Sequence, residues 1–154
     1  MKKKIDLAKY YFSIMFRDIT SIGGNTFSIF LIILFIFINI LTSVELILNF
    51  IFVWIIVIAI RMIYFKERPD KENYFNFLTK IDASSFPSVH SSRIVYTLLV
   101  LMPFYQNTFI LWFAGVITFL VCYSRIYLKK HYLVDVVFGI ILGLISTLFI
   151  QWLM

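Results

Sequence analysis

The sequence is short of most of what a soluble fold relies on. Its 154 residues contain a single cysteine, Cys122, which excludes a disulfide scaffold. Three prolines and five glycines leave little room for a loop-rich chain. Charged residues make up only 14% of it, against about 25% in soluble domains. Acids are scarcest, eight against 14 Lys and Arg, for a net charge of +6. A basic surplus can signal nucleic acid. Here 62% of residues are hydrophobic, with 18 Phe and nine Tyr, more than one soluble core of this length can bury. The excess excludes disorder and a nucleic-acid partner, and it points to a membrane.

The apolar runs have membrane length. From Ile19 to Ile60 the only charged residue is Glu45, over 42 residues. One span needs about 20 apolar residues, so this run holds two. Thr42, Ser43 and Glu45 are its polar interruption and predict a helical hairpin there. Ile94–Ser124 carries no charge, and Pro103, Gln106 and Asn107 divide it into two helices. Val136–Met154 is a fifth span. The runs are apolar on every face, unlike the alternation of a membrane barrel, and backbone groups in lipid must be paired internally. The expected fold is all-α: a single domain, 1–154, with about five transmembrane helices. Residues 1–24 read as an amphipathic helix on the membrane surface. Lys2, Lys3, Lys4, Asp6, Lys9, Arg17 and Asp18 alternate there with Leu7, Tyr10, Tyr11, Phe12 and Phe16, and Gly23-Gly24 ends it.

Hairpin turns near 43 and 105 put the N-terminus, the 62–90 loop and the 125–132 loop on one side. All 14 bases and every acid but Glu45 belong to that side, a net +7 against −1 opposite. By the positive-inside rule this is the cytoplasmic face of a multi-pass protein of the cell membrane. The same face holds the chain's two histidines, His90 and His131.

Three segments there meet membrane helices: Arg61-x6-Arg68-Pro69, then Pro87-Ser88-Val89-His90, then Ser124-Arg125-x5-His131-x3-Asp135. Asp135 follows His131 by one helical turn, so a carboxylate can fix the imidazole tautomer and make the ring a better nucleophile or base. Arg61 and Arg68 are about two turns apart and converge on one anion if the helix persists to Arg68. Arginine suits forked phosphate contacts. Ser88 and His90 open the third span, where free N–H groups and the helix dipole favour an anion. A lone interfacial Arg is more often an anchor, and a lone loop His is usually solvated. Two histidines, three arginines and an aspartate on one face favour a phosphate site.

In order and spacing, these segments resemble the three signature motifs of the type-2 phosphatidic acid phosphatase superfamily. Its relatives include vanadium haloperoxidases and bacterial acid phosphatases. The family pattern is Lys-x6-Arg-Pro, Pro-Ser-Gly-His and Ser-Arg-x5-His-x3-Asp, and the match runs over 61–135. The resemblance implies a metal-independent lipid phosphate phosphatase that needs no cofactor. His131 would be the nucleophile, Asp135 its orienting carboxylate and His90 the general acid. Arg61, Arg68, Ser88, Val89 and Arg125 would hold the phosphate. Implied substrates, met within membrane lipid, are phosphatidic acid, phosphatidylglycerophosphate or a polyprenyl diphosphate. The alternatives are a lipid phosphotransferase using the same site and an inactive lipid-binding relative.

Three positions depart from the family pattern. Arg61 stands for Lys, and Val89 stands for a Gly whose turn would distort the site if it required positive φ. The usual first of six spans is absent, which puts the N-terminus on the site face. Membrane members usually turn that face away from the cytosol, whereas the charge distribution here leans to a cytoplasmic site.

Overall fold

A computed structural model describes residues 7–154, all of whose regular structure is helical. The helices are α1 (Leu7–Ser21), α2 (Asn25–Ile38), α3 (Ile40–Ile63), α4 (Phe77–Ala83), α5 (Val89–Leu101), α6 (Thr108–Tyr127) and α7 (Leu133–Leu153). The five expected spans correspond to α2, α3, α5, α6 and α7. Four stretches are long and apolar enough to cross a membrane: Leu7–Ile38, Ile40–Ile63, Thr108–Tyr127 and Leu133–Leu153. The remaining apolar segment, Val89–Phe104, is shorter and ends in a 3-10 turn at Met102–Phe104. The chain is a multi-pass membrane protein.

The first hairpin turns earlier than expected. The break falls at Asn39, whose side chain accepts from Thr42 N at 3.1 Å and so caps α3. Thr42 and Ser43 lie inside that helix and are buried, with Ser43 Oγ donating to Ile32 O at 2.8 Å across the hairpin. The capping side chain decided the position, and the small hydroxyls were absorbed by packing. Glu45 is half-exposed near the start of α3 and accepts from Gln151 Nε2 at 2.8 Å. One turn on, Asn49 Oδ1 accepts from Ser146 Oγ at 2.6 Å. Both bonds tie α3 to α7, and Asn49 and Ser146 are buried with little else to pair with in an apolar bundle.

The N-terminal helix forms as expected from Leu7 and stops at Ser21, before the turn at Gly23-Gly24. Its lysines at 2–4 and Asp6 lie outside the described residues. Rather than standing apart, α1 packs along α6. Phe16 is buried against the rings of Tyr127 and Tyr123, with centroids 4.5 and 5.6 Å away. Leu7, Tyr10, Tyr11 and Phe12 stay exposed, as an amphipathic helix at an apolar boundary requires.

α5 is the centre of the bundle, packed against α3, α6 and α7, and is buried over most of its first two turns. Its contact with α7 is close because Gly139 and Gly143 face it. A Cβ at Gly139 would overlap Ser88 O, and one at Gly143 would lie 2.6 Å from Ser92 O. The small-xxx-small spacing therefore serves helix approach within the chain.

Candidate active site

The site lies where the ends of α3, α5, α6 and α7 meet. A cavity of about 90 Å³ is lined by Arg61, Arg68, Arg93, Arg125, His90 and His131, with Asn25, Trp54, Asp82 and Val89. Every arginine and histidine expected from the three motifs reaches it, though several by other routes than expected.

Arg61 and Arg68 are not joined by a continuous helix, because α3 ends at Ile63 and the chain extends from Tyr64. They converge because both clamp the segment that folds back beneath them. Arg61 donates to the carbonyls of Ile81, Phe86 and Pro87 at 3.1–3.3 Å. Arg68 donates to Asp82 O at 2.6 Å and pairs with Glu72. Three of Arg61's five N–H donors are therefore spent on shaping the loop. Arg68 Nε and Arg125 Nε are buried with no hydrogen-bond partner among the described residues, which leaves them for an incoming anion. Arg125 donates to Thr20 Oγ1 at 3.0 Å, so α1 braces it from outside the cavity.

Val89 occupies the first turn of α5, after Ser88 with φ −75°. Among the described residues Lys129 is the one non-glycine at positive φ, so the turn before His90 never demands the glycine that Val89 replaces. Ser88 N–H is not free: it donates to Asp135 O at 2.9 Å and ties the second motif to the third. No side chain caps α5, so the N–H groups of Val89 and His90 still point out of its N-terminus. Ser88 Oγ accepts from Ser91 Oγ at 2.9 Å.

The expected bond between His131 and Asp135 does not form. His131 Nδ1 lies 2.6 Å from Ser85 O and 3.9 Å from Asp135 Oδ2. A carbonyl only accepts, so Nδ1 carries the proton and Nε2 keeps its lone pair. Asp135 is wholly buried and bonded elsewhere. Its Oδ1 takes Lys66 Nζ at 2.6 Å, and its Oδ2 takes Tyr132 N at 2.9 Å as α7 begins. Backbone geometry at the start of α7 outcompeted the i,i+4 pairing. Replacing Lys66 with Met should leave that carboxylate without a cation. The expected loss is about 2 kcal/mol in detergent unfolding, below the range for wholly buried pairs because Lys66 is partly solvated.

Burial, with Arg125 and Arg68 close by, pushes the His131 imidazole down to about 2, so the ring is neutral. An unfolded chain would take up that proton below about pH 6.5 and the folded chain refuses it. The group costs no stability above that pH and progressively more below it. Melting temperature in detergent should therefore fall between pH 7 and pH 5, and should fall less in His131→Gln.

Three side chains at the site went unnoticed in the sequence: Lys66, Asp82 and Arg93. Arg93 had a usable signal, since it follows His90 by three residues and shares its helix face. Lys66 and Asp82 had none, because Lys66 lies in an irregular loop and Asp82 in the short helix α4, neither of which carries a periodic pattern. Trp54 on α3 also lines the cavity.

Helices of membrane length closing on a cavity lined by four arginines and two histidines define an integral-membrane protein with a cationic pocket. Residues 46–154 match the family model described as the PAP2 superfamily, and the chain belongs to that superfamily. No curated protein matches it. Two solved structures share the fold. LpxE from Aquifex aeolicus is 22% identical, with a TM-score of 0.76 over 92% of this chain and 86% of that one. A transmembrane PAP2-type phosphatidylglycerolphosphate phosphatase from Bacillus subtilis is 24% identical, with a TM-score of 0.73 over 93% and 76% of the two chains.

Proposed function

We propose that the protein is a membrane phosphatase that removes the terminal phosphate of a lipid phosphate through a phosphohistidine at His131. The observation that carries this reading is the bond from His131 Nδ1 to Ser85 O, which leaves an unprotonated Nε2 in a cavity lined with arginines. Membership of the PAP2 superfamily and the fold shared with LpxE and the phosphatidylglycerolphosphate phosphatase support it.

In this scheme Nε2 attacks phosphorus, and Arg68, Arg125 and the first N–H groups of α5 hold the other phosphate oxygens. Phosphoryl transfer is mostly positioning and charge stabilisation, which these donors supply. His90 takes up a proton together with the entering phosphate, passes it to the leaving oxygen and then takes one back from the water that hydrolyses the phosphoenzyme. As phosphorylation makes the His131 ring cationic, the Ser85 carbonyl and the Asp135 carboxylate at 3.9 Å stabilise it. Arg61 acts through the loop carbonyls it gathers.

The substrates in view are phosphatidic acid, phosphatidylglycerophosphate and polyprenyl diphosphates, all met from within the bilayer. The test is phosphate release by purified protein in detergent across these lipids, with His131→Gln alongside. Release by the wild type alone supports the reading, and equal release by both sinks it. Transfer of phosphate to an added alcohol, with none set free, would make the site a phosphotransferase. We place the protein in the cell membrane with the site facing the cytoplasm, on the strength of its charge distribution. Labelling of a single cysteine placed at Asn73 by an impermeant reagent in intact cells would contradict that orientation.

A further inference from the structure

Arg93 has no role in the scheme above, yet it is the least satisfied side chain at the site. It is only 3% exposed, and its Nε and Nη2 are buried with no hydrogen-bond partner among the described residues. Its guanidinium carbon lies 5.2 Å from the ring centroids of both Phe50 and Trp54, so two aromatic faces on α3 flank it. Cation–π contact accounts for its charge but leaves its N–H edge unpaired, and unpaired buried donors are costly. That side chain lines the same cavity as His90 and His131.

Depth gives the missing partner. α5 runs from the site face into the bundle, so Arg93 sits one turn, about 4.5 Å, deeper than His90. His90 is placed to protonate the leaving oxygen, so Arg93 lies where the leaving group continues. A plain alcohol there would leave its donors unpaired, whereas a second phosphoryl group would satisfy them. Charge agrees. Four guanidinium groups face the cavity against one carboxylate, that of Asp82. Glu72, behind Arg68, is shared with Lys130. A phosphate monoester dianion leaves one of these charges unmatched, and a diphosphate ester trianion matches them all.

We infer that Arg93 is a specificity-determining residue that binds the inner phosphoryl group of a lipid diphosphate, making a diphosphate ester the preferred substrate. The inference rests on the phosphatase reading and narrows its substrate class. His131 Nε2 bonds to the outer phosphorus while the bond from that phosphorus to the bridging oxygen breaks. The leaving group is the lipid monophosphate, which takes its proton from His90 and whose growing charge falls beside Arg93. Water then cleaves the N–P bond, releasing inorganic phosphate and restoring the imidazole.

The test compares farnesyl diphosphate with farnesyl monophosphate, which share one tail, in wild type, Arg93→Gln and Arg93→Lys. The wild type should favour the diphosphate in kcat/KM. Arg93→Gln should cut diphosphate turnover roughly 10- to 100-fold, the worth of a charge-assisted hydrogen bond, and change monophosphate turnover by less than about threefold. Arg93→Lys, which keeps the charge without the fork, should fall between. Equal losses on both esters, or none, would overturn the inference. A second readout needs no turnover: methylenediphosphonate should raise the melting temperature more than methylphosphonate does, and Arg93→Gln should erase that difference. If the wild type hydrolyses neither ester nor any of the lipid phosphates named above yet keeps this binding preference, the phosphatase reading fails and the role of Arg93 stands. If it hydrolyses both and Arg93→Gln leaves the preference intact, the reverse holds.

Discussion

Replacing His131 with Gln is expected to lower phosphate release by at least about 10⁴-fold while leaving the protein folded. Glutamine can still donate to Ser85 O, so the loop geometry survives, but it offers no nitrogen lone pair to phosphorus. A role for His131 in binding alone would produce a much smaller loss, with the deficit in KM. The nucleophilic role puts the loss in kcat, and a burst of phosphoenzyme seen in the wild type by rapid quench would be missing from the variant. Near-normal kcat in a well-folded His131→Gln protein would rule the role out.

A smaller but still large loss is expected from a residue that touches no substrate. In Gly139→Val the added carbons would collide with Ser88 O and Ser91 Cβ. The carbonyl belongs to backbone that cannot turn aside, so α7 must move off α5. The movement would strain the bond from Ser88 N to Asp135 O that holds the second and third motifs together. Overpacking of this kind costs about 3 kcal/mol, and a shift near 1 Å at the reacting groups costs on the order of 10² in rate. The variant should therefore lose both melting temperature and activity. Gly115→Val is the control: a Cβ there meets nothing within 4 Å, and both quantities should stay near wild type.

Much of this architecture was legible in the sequence because it depends on features that the chain states locally. Uncharged runs gave the helices, and the spacing of the three motifs gave both histidines and three of the four arginines that line the cavity. What was not legible depended on competition between neighbours. Asn39 against Thr42 and Ser43 for the hairpin, and Ser85 O against Asp135 for His131, were both settled by backbone geometry that no spacing rule contains. The convergence of Arg61 and Arg68 came from α4 and the loop folding back beneath them, a segment of irregular sequence whose carbonyls took the donors. Val89 runs the other way. Its departure from the family pattern suggested a distorted turn, and the helix starting there removed the demand for positive φ.

Where the phosphoryl group goes during turnover decides between a phosphohistidine at His131 and any other route. Wild-type protein in detergent, mixed with a ³²P-labelled lipid phosphate and quenched in alkali within the first turnover, should carry label that is stable to base and lost in acid. Peptide mapping should place it on His131. Label on another residue, or equal labelling of His131→Gln, would contradict the mechanism.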